Sequence, residues 1–235
     1  MDEIFTRKPF CGFDHEQVIV PKTKQRQIPK IPYKVLDAPA LKDDYYLNLV
    51  DWSELNDLVV GLSSCVYIWS ATSSKVTKLY DLGQNDEVTS VSWARRGMHL
   101  SVGTDSGMVQ VWDVTKQKLV RVFQGHEGRV GALAWNSSLL SSGSKDRSIQ
   151  NHDLRVKDDA ISCFTGHKQE VCGLKWSHDD MQLASGGNDN KLMVWSAHAK
   201  SGSEPLWKFG SHKAAVKALA WSPHQKGLLV SGGGT

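Results

Sequence analysis

The sequence predicts an all-β protein built from repeated four-stranded antiparallel sheets. Three observations predict it: tryptophans at a regular long spacing, period-two alternation leading into each of them, and short apolar runs closed by glycine or serine in between. Trp52, Trp93, Trp135, Trp176 and Trp221 are separated by 41, 42, 41 and 45 residues. Tryptophans scattered through a core would show no such period, so the chain reads as a series of like units. Each unit opens on an alternating run such as Val88-Thr89-Ser90-Val91-Ser92-Trp93, whose period of two sends neighbouring side chains to opposite faces of a strand. A second strand follows at Leu58-Val59-Val60-Gly61, Leu100-Ser101-Val102-Gly103, Leu139-Leu140-Ser141-Ser142-Gly143 and Leu183-Ala184-Ser185-Gly186. A third alternates into a second tryptophan series, as in Met108-Val109-Gln110-Val111-Trp112-Asp113. Trp69, Trp112 and Trp195 form that series, 17, 19 and 19 residues after the first, and His152 fills the same slot 17 after Trp135. A more variable fourth strand, such as Leu119-Val120-Arg121-Val122-Phe123, closes the unit, and only Trp207 falls outside both series.

Four strands in about 41 residues, with Gly-His openings and a Trp-Asp ending, match the signature of WD-repeat propellers. The predicted fold is therefore a WD-repeat β-propeller, incomplete, an open arc of four and a half blades. Its blades cover about 45–84, 85–124, 125–165 and 166–209, with a half blade over 210–235, behind an N-terminal tail of residues 1–34. Gly125-His126 and Gly166-His167 lie 41 apart, and Ser211-His212 occupies the next slot. His126 precedes Asp146 by 20 residues and His167 precedes Asp189 by 22. The second unit has Asp86-Glu87 in place of Gly-His and Ser106 in place of the Asp, so both positions change together, which implies contact. By resemblance to WD repeats, His126, Asp146, His167, Asp189 and Trp195 belong to buried hydrogen-bond networks that tie a loop to its blade.

Charge and cysteine usage narrow the class. The 235 residues carry 28 basic and 25 acidic side chains, a net charge of +3. All of that excess sits in residues 1–34, where Pro21 to Lys34 holds five basic residues, three prolines and no acid. Such a segment buries little and reads as a solvated linker, and no nucleic-acid partner is expected. The apolar stretch Leu58 to Trp69 is too short for a membrane span and reads as two strands, and Met1-Asp2-Glu3 is not a secretory opening. Cys11, Cys65, Cys163 and Cys172 contain no Cys-x-x-Cys and are read as free thiols. His126, Ser142 and Asp146 suggest a hydrolase trio, but the same residue types recur at repeat spacing, whereas an active site is assembled once. Cys163, His167 and Cys172 lack the paired spacing of a zinc site. No phosphate-cradling glycine motif occurs. No catalytic residue, metal or cofactor is expected.

Several words in the chain go beyond a generic WD repeat: Lys30-Ile31-Pro32, Val35-Leu36-Asp37-Ala38-Pro39, Asp44-Tyr45-Tyr46-Leu47-Asn48-Leu49-Val50-Asp51-Trp52, Arg129 to Asn136, Glu170 to Trp176, Gly186-Gly187-Asn188-Asp189-Asn190 and Ser231-Gly232-Gly233-Gly234-Thr235. Together, from about residue 28 onward, they resemble the Fizzy and Fizzy-related coactivators of the anaphase-promoting complex, a ubiquitin ligase that marks cyclins and other mitotic regulators. Lys34-Val35-Leu36 and Leu133-Ala134-Trp135 lean toward Fizzy-related. The resemblance implies two peptide sites. Asp37 would meet the destruction-box arginine with Leu36 beside the peptide leucine, and Asp44, Tyr45, Asn188 and Thr235 would read the Lys-Glu-Asn box. Asp37 before Ala38-Pro39 also suits a turn cap, and Asn188 also suits a brace for its own loop. The implied partners are subunits of the complex and degron-bearing substrates such as cyclins, without membrane, in nucleus and cytoplasm. A generic WD-repeat scaffold is the alternative. Because family members have seven blades, an Asp-Arg-Tyr/Phe-Ile-Pro box and an Ile-Arg tail, the chain is expected to be a partial product that activates poorly alone.

Overall fold

The computed structural model describes residues 27–95 and 98–234. Two units divide the chain after Asp37. Of the predicted tail, residues 1–26 lie outside the described residues, and residues 27–37 carry exposed side chains and no strand.

The second unit is made of antiparallel sheets in which strands pair in chain order. Blade one holds β1 (Val50–Trp52), β2 (Asp57–Leu62), β3 (Cys65–Ser70) and β4 (Val76–Asp81). Blade two holds β5 (Val88–Trp93), β6 (His99–Thr104), β7 (Val109–Asp113) and β8 (Lys118–Phe123). Blade three holds β9 (Val130–Trp135), β10 (Leu140–Ser144), β11 (Ser148–His152) and β12 (Ser162–Thr165). Blade four holds β13 (Val171–Trp176), β14 (Gln182–Gly187), β15 (Leu192–Ser196) and β16 (Trp207–Phe209), and a half blade holds β17 (Val216–Trp221) and β18 (Leu229–Gly233). The Leu58 to Trp69 stretch is the β2–β3 hairpin, turned at Ser63, whose φ is 54°. Trp207, outside both series, lies on the outer strand β16.

First strands of successive blades lie against one another, so they form the inner wall. The apolar core fills the layers between sheets: Ile149 and Phe164 of blade three pack with Leu174, Trp176, Met193 and Trp195 of blade four. Burying both sheet faces in this way is what stabilises a repeat unit that has no core of its own. At β17, which no further inner strand covers among the described residues, the same positions face outward. Ala132 and Ala134 of β9 are buried, whereas Ala218 and Ala220 at the matching positions of β17 are exposed.

The tryptophan ladder does more than fill space. The indole N–H of Trp135 donates to Ser101 Oγ (2.9 Å) and that of Trp176 to Ser141 Oγ (3.0 Å), each serine lying on the second strand of the preceding blade. Where Ala184 replaces that serine, Trp221 donates to the Lys175 carbonyl (3.0 Å). Where Val59 replaces it, the buried Trp93 N–H has no partner among the described residues.

Asn48 joins the inner wall across the axis. Its N–H donates to Thr89 O (3.1 Å), its carbonyl accepts from Val91 N–H (2.9 Å), and its amide donates to Gly131 O (2.6 Å) and, more weakly, to Cys172 O (3.4 Å). Four blades are thus linked through one side chain and its backbone. Asn48→Ala leaves the Gly131 carbonyl without its donor and is expected to lower stability by about 1–2 kcal/mol, read from the midpoint of urea unfolding at unchanged slope.

Candidate functional site

Because strands alternate in direction, the loop before each inner strand and the hairpin between second and third strands emerge at the same end, the top face. Backbone bonds stitch them together there: Asp105 N–H to Glu87 O, Lys145 N–H to Arg129 O, and Asn188 N–H to Glu170 O, each 2.9 Å. The residue immediately before each inner strand from β5 onward is Glu87, Arg129, Glu170 and Ala215. Register shifts just inside β5, β13 and β17 add local twist where these strands begin.

Arg129 is the centre of the face. Its guanidinium donates to both oxygens of Glu170 (2.8 and 3.0 Å) and to Asp44 Oδ2 (2.7 Å), and it lies 5.5 Å from the centroid of the Tyr46 ring. Such bidentate, charge-assisted bonding holds planar groups in one orientation. Asp44 Oδ1 accepts the Tyr46 N–H (2.9 Å). The Tyr46 hydroxyl donates to Asn188 Oδ1 (2.9 Å), and the Asn188 amide donates to Gln169 Oε1 (2.7 Å). Burial pulls the Asp44 carboxyl upward, but the Tyr46 N–H and the Arg129 guanidinium outweigh it and hold it below the ordinary carboxylate range. The Glu170 bond, opposed by burial and aided by Asp44, raises Arg129 further above its already high value. Lys217 donates to the carbonyls of Tyr45 (2.6 Å) and Leu47 (2.8 Å), and burial lowers its ammonium below the usual lysine range. Below the face the inner strands line an open cavity of about 740 Å³.

Asp44 and Asn188 are therefore brought together, through Tyr46. Tyr45 points toward the half blade, its hydroxyl donating to Ala215 O (3.1 Å) and its ring 5.3 Å from the Lys217 ammonium. Thr235 lies outside the described residues. Leu36 and Asp37 belong to the other unit and are exposed there. The turn after Asp37 is closed by Leu41 N–H on Ala38 O (3.4 Å). Asn188 reaches Tyr46 and Gln169 instead of bracing its own turn. Sequence reasoning passed over Tyr46, Arg129, Glu170 and Lys217 as site residues. A signal for two of them exists: Arg129 and Glu170 occupy one slot, 41 apart, with opposite charges.

The repeated histidines form internal networks. In blade four, His167 meets Asp189 Oδ1 through Nδ1 (3.1 Å) and Ser185 Oγ through Nε2 (2.9 Å), and Trp195 N–H donates to the same serine (2.8 Å). In blade three, His126 meets Asp146 Oδ2 (2.8 Å) and Ser142 Oγ (2.8 Å), and His152 Nε2 takes the tryptophan's place at 2.7 Å. The hydrolase-like trio is thus assembled, but Ser142 is fully buried between two imidazoles and no substrate atom can reach its hydroxyl. In blade two the pair is exchanged, not lost: Asp86 accepts from the Ser106 hydroxyl (2.6 Å) and N–H (3.0 Å). Cys172 Sγ lies 3.3 Å from Val216 O, and no three His, Cys, Asp or Glu residues converge as metal ligands among the described residues.

Repeated four-stranded blades with His–Ser–Trp networks, and a polar cluster where their top loops meet, define a WD-repeat propeller protein. The chain belongs to the CDC20/Fizzy WD40 domain family, which it matches over residues 36–235. It is 60% identical over 224 residues to the B-type cell cycle switch protein ccs52A of Medicago truncatula, covering 95% of this chain and 46% of that protein. It is 60% identical over 215 residues to Protein FIZZY-RELATED 3 of Arabidopsis thaliana, covering 92% and 44%. The chain thus spans a little under half the length of these relatives. A chain in a crystal structure of the Mitotic Checkpoint Complex matches with a TM-score of 0.85 and 46% identity, covering 93% of this chain and 68% of that one.

Proposed function

We propose that the chain is the peptide-reading part of a coactivator of the anaphase-promoting complex, binding Lys-Glu-Asn and destruction-box degrons of cell-cycle proteins such as cyclins. It acts as an adaptor: it catalyses nothing itself and presents substrates to ligase subunits, in nucleus and cytoplasm. The observation that carries this reading is the joining of Asp44 to Asn188 through Tyr46 on one accessible face. Each carboxylate oxygen of Asp44 accepts one bond and retains capacity for another, which suits a peptide ammonium. Glu170 supports it, because the two carboxylates share a single guanidinium and leave the trio one negative charge in excess. The Asn188 amide has a second N–H for a peptide carboxamide. Asp37 and Leu36 serve the destruction box in the same scheme.

The test is fluorescence anisotropy with a labelled Lys-Glu-Asn peptide. Micromolar binding is expected, weakened about tenfold by Asp44→Ala or by Asn188→Ala, the loss of one charge-assisted or buried hydrogen bond. Asp37→Ala is expected to weaken a destruction-box peptide and leave the Lys-Glu-Asn peptide unchanged. Insensitivity to Asp44→Ala and Asn188→Ala together would leave a generic scaffold as the better account.

A further inference from the structure

Charge on the top face is segregated. Over blades one and two, the loops carry Asp43, Asp44, Asp86, Glu87 and Asp105 against the single cation Lys42. Over blades three, four and the half blade, the equivalent loops carry Lys145, Arg147, Lys168, Lys191 and Lys213. None of these five forms an ion pair among the described residues. The acids on those loops are mostly spoken for: Asp146 and Asp189 face imidazoles, and Glu170 faces Arg129. Glu127 is the one acid on those loops whose side chain meets neither an imidazole nor a guanidinium among the described residues.

Asn188 sits inside the basic half. It shares the β14–β15 turn with Lys191, whose ammonium lies beside Gly210, in the loop before β17. On the other side, the Lys168 N–H donates to Asp189 Oδ2 (2.8 Å), which places Lys168 beside the same turn. Asp44 sits in the acidic half. A peptide whose lysine meets Asp44 and whose asparagine meets Asn188 therefore runs from acidic to basic surface. An extended chain advances about 3.3 Å per residue, so the first two residues after the asparagine stay within a Debye length of about 8 Å of that turn and its cations.

Resting on that reading of the site, we propose that the top face selects degrons by their flanks: it prefers Lys-Glu-Asn peptides followed by acidic residues and disfavours those preceded by them. Aligned charge of this kind discriminates partners and their direction even where single surface pairs are weak.

Three labelled peptides of equal length test it against the full chain: Lys-Glu-Asn followed by three serines, followed by three aspartates, or preceded by three aspartates. At 50 mM NaCl the downstream aspartates are expected to tighten binding about fivefold over the serine peptide, and the upstream ones to weaken it about twofold. At 500 mM NaCl both differences shrink to less than about twofold. Lys191→Glu combined with Lys213→Glu, both surface changes, is expected to abolish the gain from downstream aspartates while the serine peptide still binds. Equal affinity of the three peptides at low salt, with the serine peptide still sensitive to Asn188→Ala, overturns the flank preference and leaves the site reading standing. A serine peptide that does not bind, or that ignores Asn188→Ala, overturns both.

Discussion

Replacing Arg129 with methionine is expected to lower the unfolding free energy by about 3 kcal/mol, to be read from urea denaturation at pH 7. The guanidinium is the shared cation of two carboxylates, one of which, Glu170, has a side chain only 8% exposed. Its removal leaves that carboxylate buried with no counter-charge and facing Asp44. Breaking a buried pair from one side is far worse than removing both partners, because the desolvation of the remaining ion is no longer offset. Arg129→Met with Glu170→Gln is therefore expected to be more stable than Arg129→Met alone. If the single and double variants lose equally, the bidentate pair is not what stabilises this face.

Acid destabilisation is the second large effect, and it is centred on His152. Burial, opposed in part by the Asp159 carbonyl that accepts from Nδ1 and aided by His126 and Arg121, lowers this imidazole to about 4. The folded value lies below that of an unfolded histidine, near 6.5, so the unfolded chain takes up the proton first. Stability is thus complete above pH 6.5 and falls as pH drops toward 4, by about 3 kcal/mol from this group. At still lower pH a further loss sets in at Asp146. Its burial would raise it, but bonds from His126 and Ser148 more than compensate and keep it ionised well below the ordinary range.

A variant separates the two contributions. With His152 Nδ1–H on the Asp159 carbonyl and His126 Nδ1–H on Asp146, both Nε2 atoms face Ser142, whose one hydroxyl proton can serve only one of them. Blade four has no such shortage, because Trp195 brings its own N–H and stacks on Phe164 as His152 stacks on Phe123. His152→Trp is therefore expected to stabilise the protein by about 1 kcal/mol at pH 7 and to flatten the stability curve between pH 6.5 and 4. Parallel pH curves for the two proteins would show that His152 is not the acid-sensitive group.

The blades were legible because each strand writes its own period into the chain. Alternation over Val88 to Trp93 reports one buried and one outer face, and the 41-residue recurrence reports that every unit meets the same neighbours. The His–Asp pairs were legible for a related reason: both partners lie within one blade at a constant offset, so even the Asp86–Ser106 exchange betrayed itself. Asp44 and Asn188 were reached through the family resemblance, since neither stands out by type or spacing.

What the sequence by itself determined, then, is the content of each blade, the order of its four strands and the residues that tie its own loop. The tertiary structure alone decided how blades speak to one another. It set the indole of Trp176 on Ser141, stretched Asn48 to Gly131 and made Arg129 common to Asp44 and Glu170. These contacts depend on the rotation from one sheet to the next about the axis. A side chain's type and its place in a strand carry no record of that angle, so it is expressed only when the sheets pack.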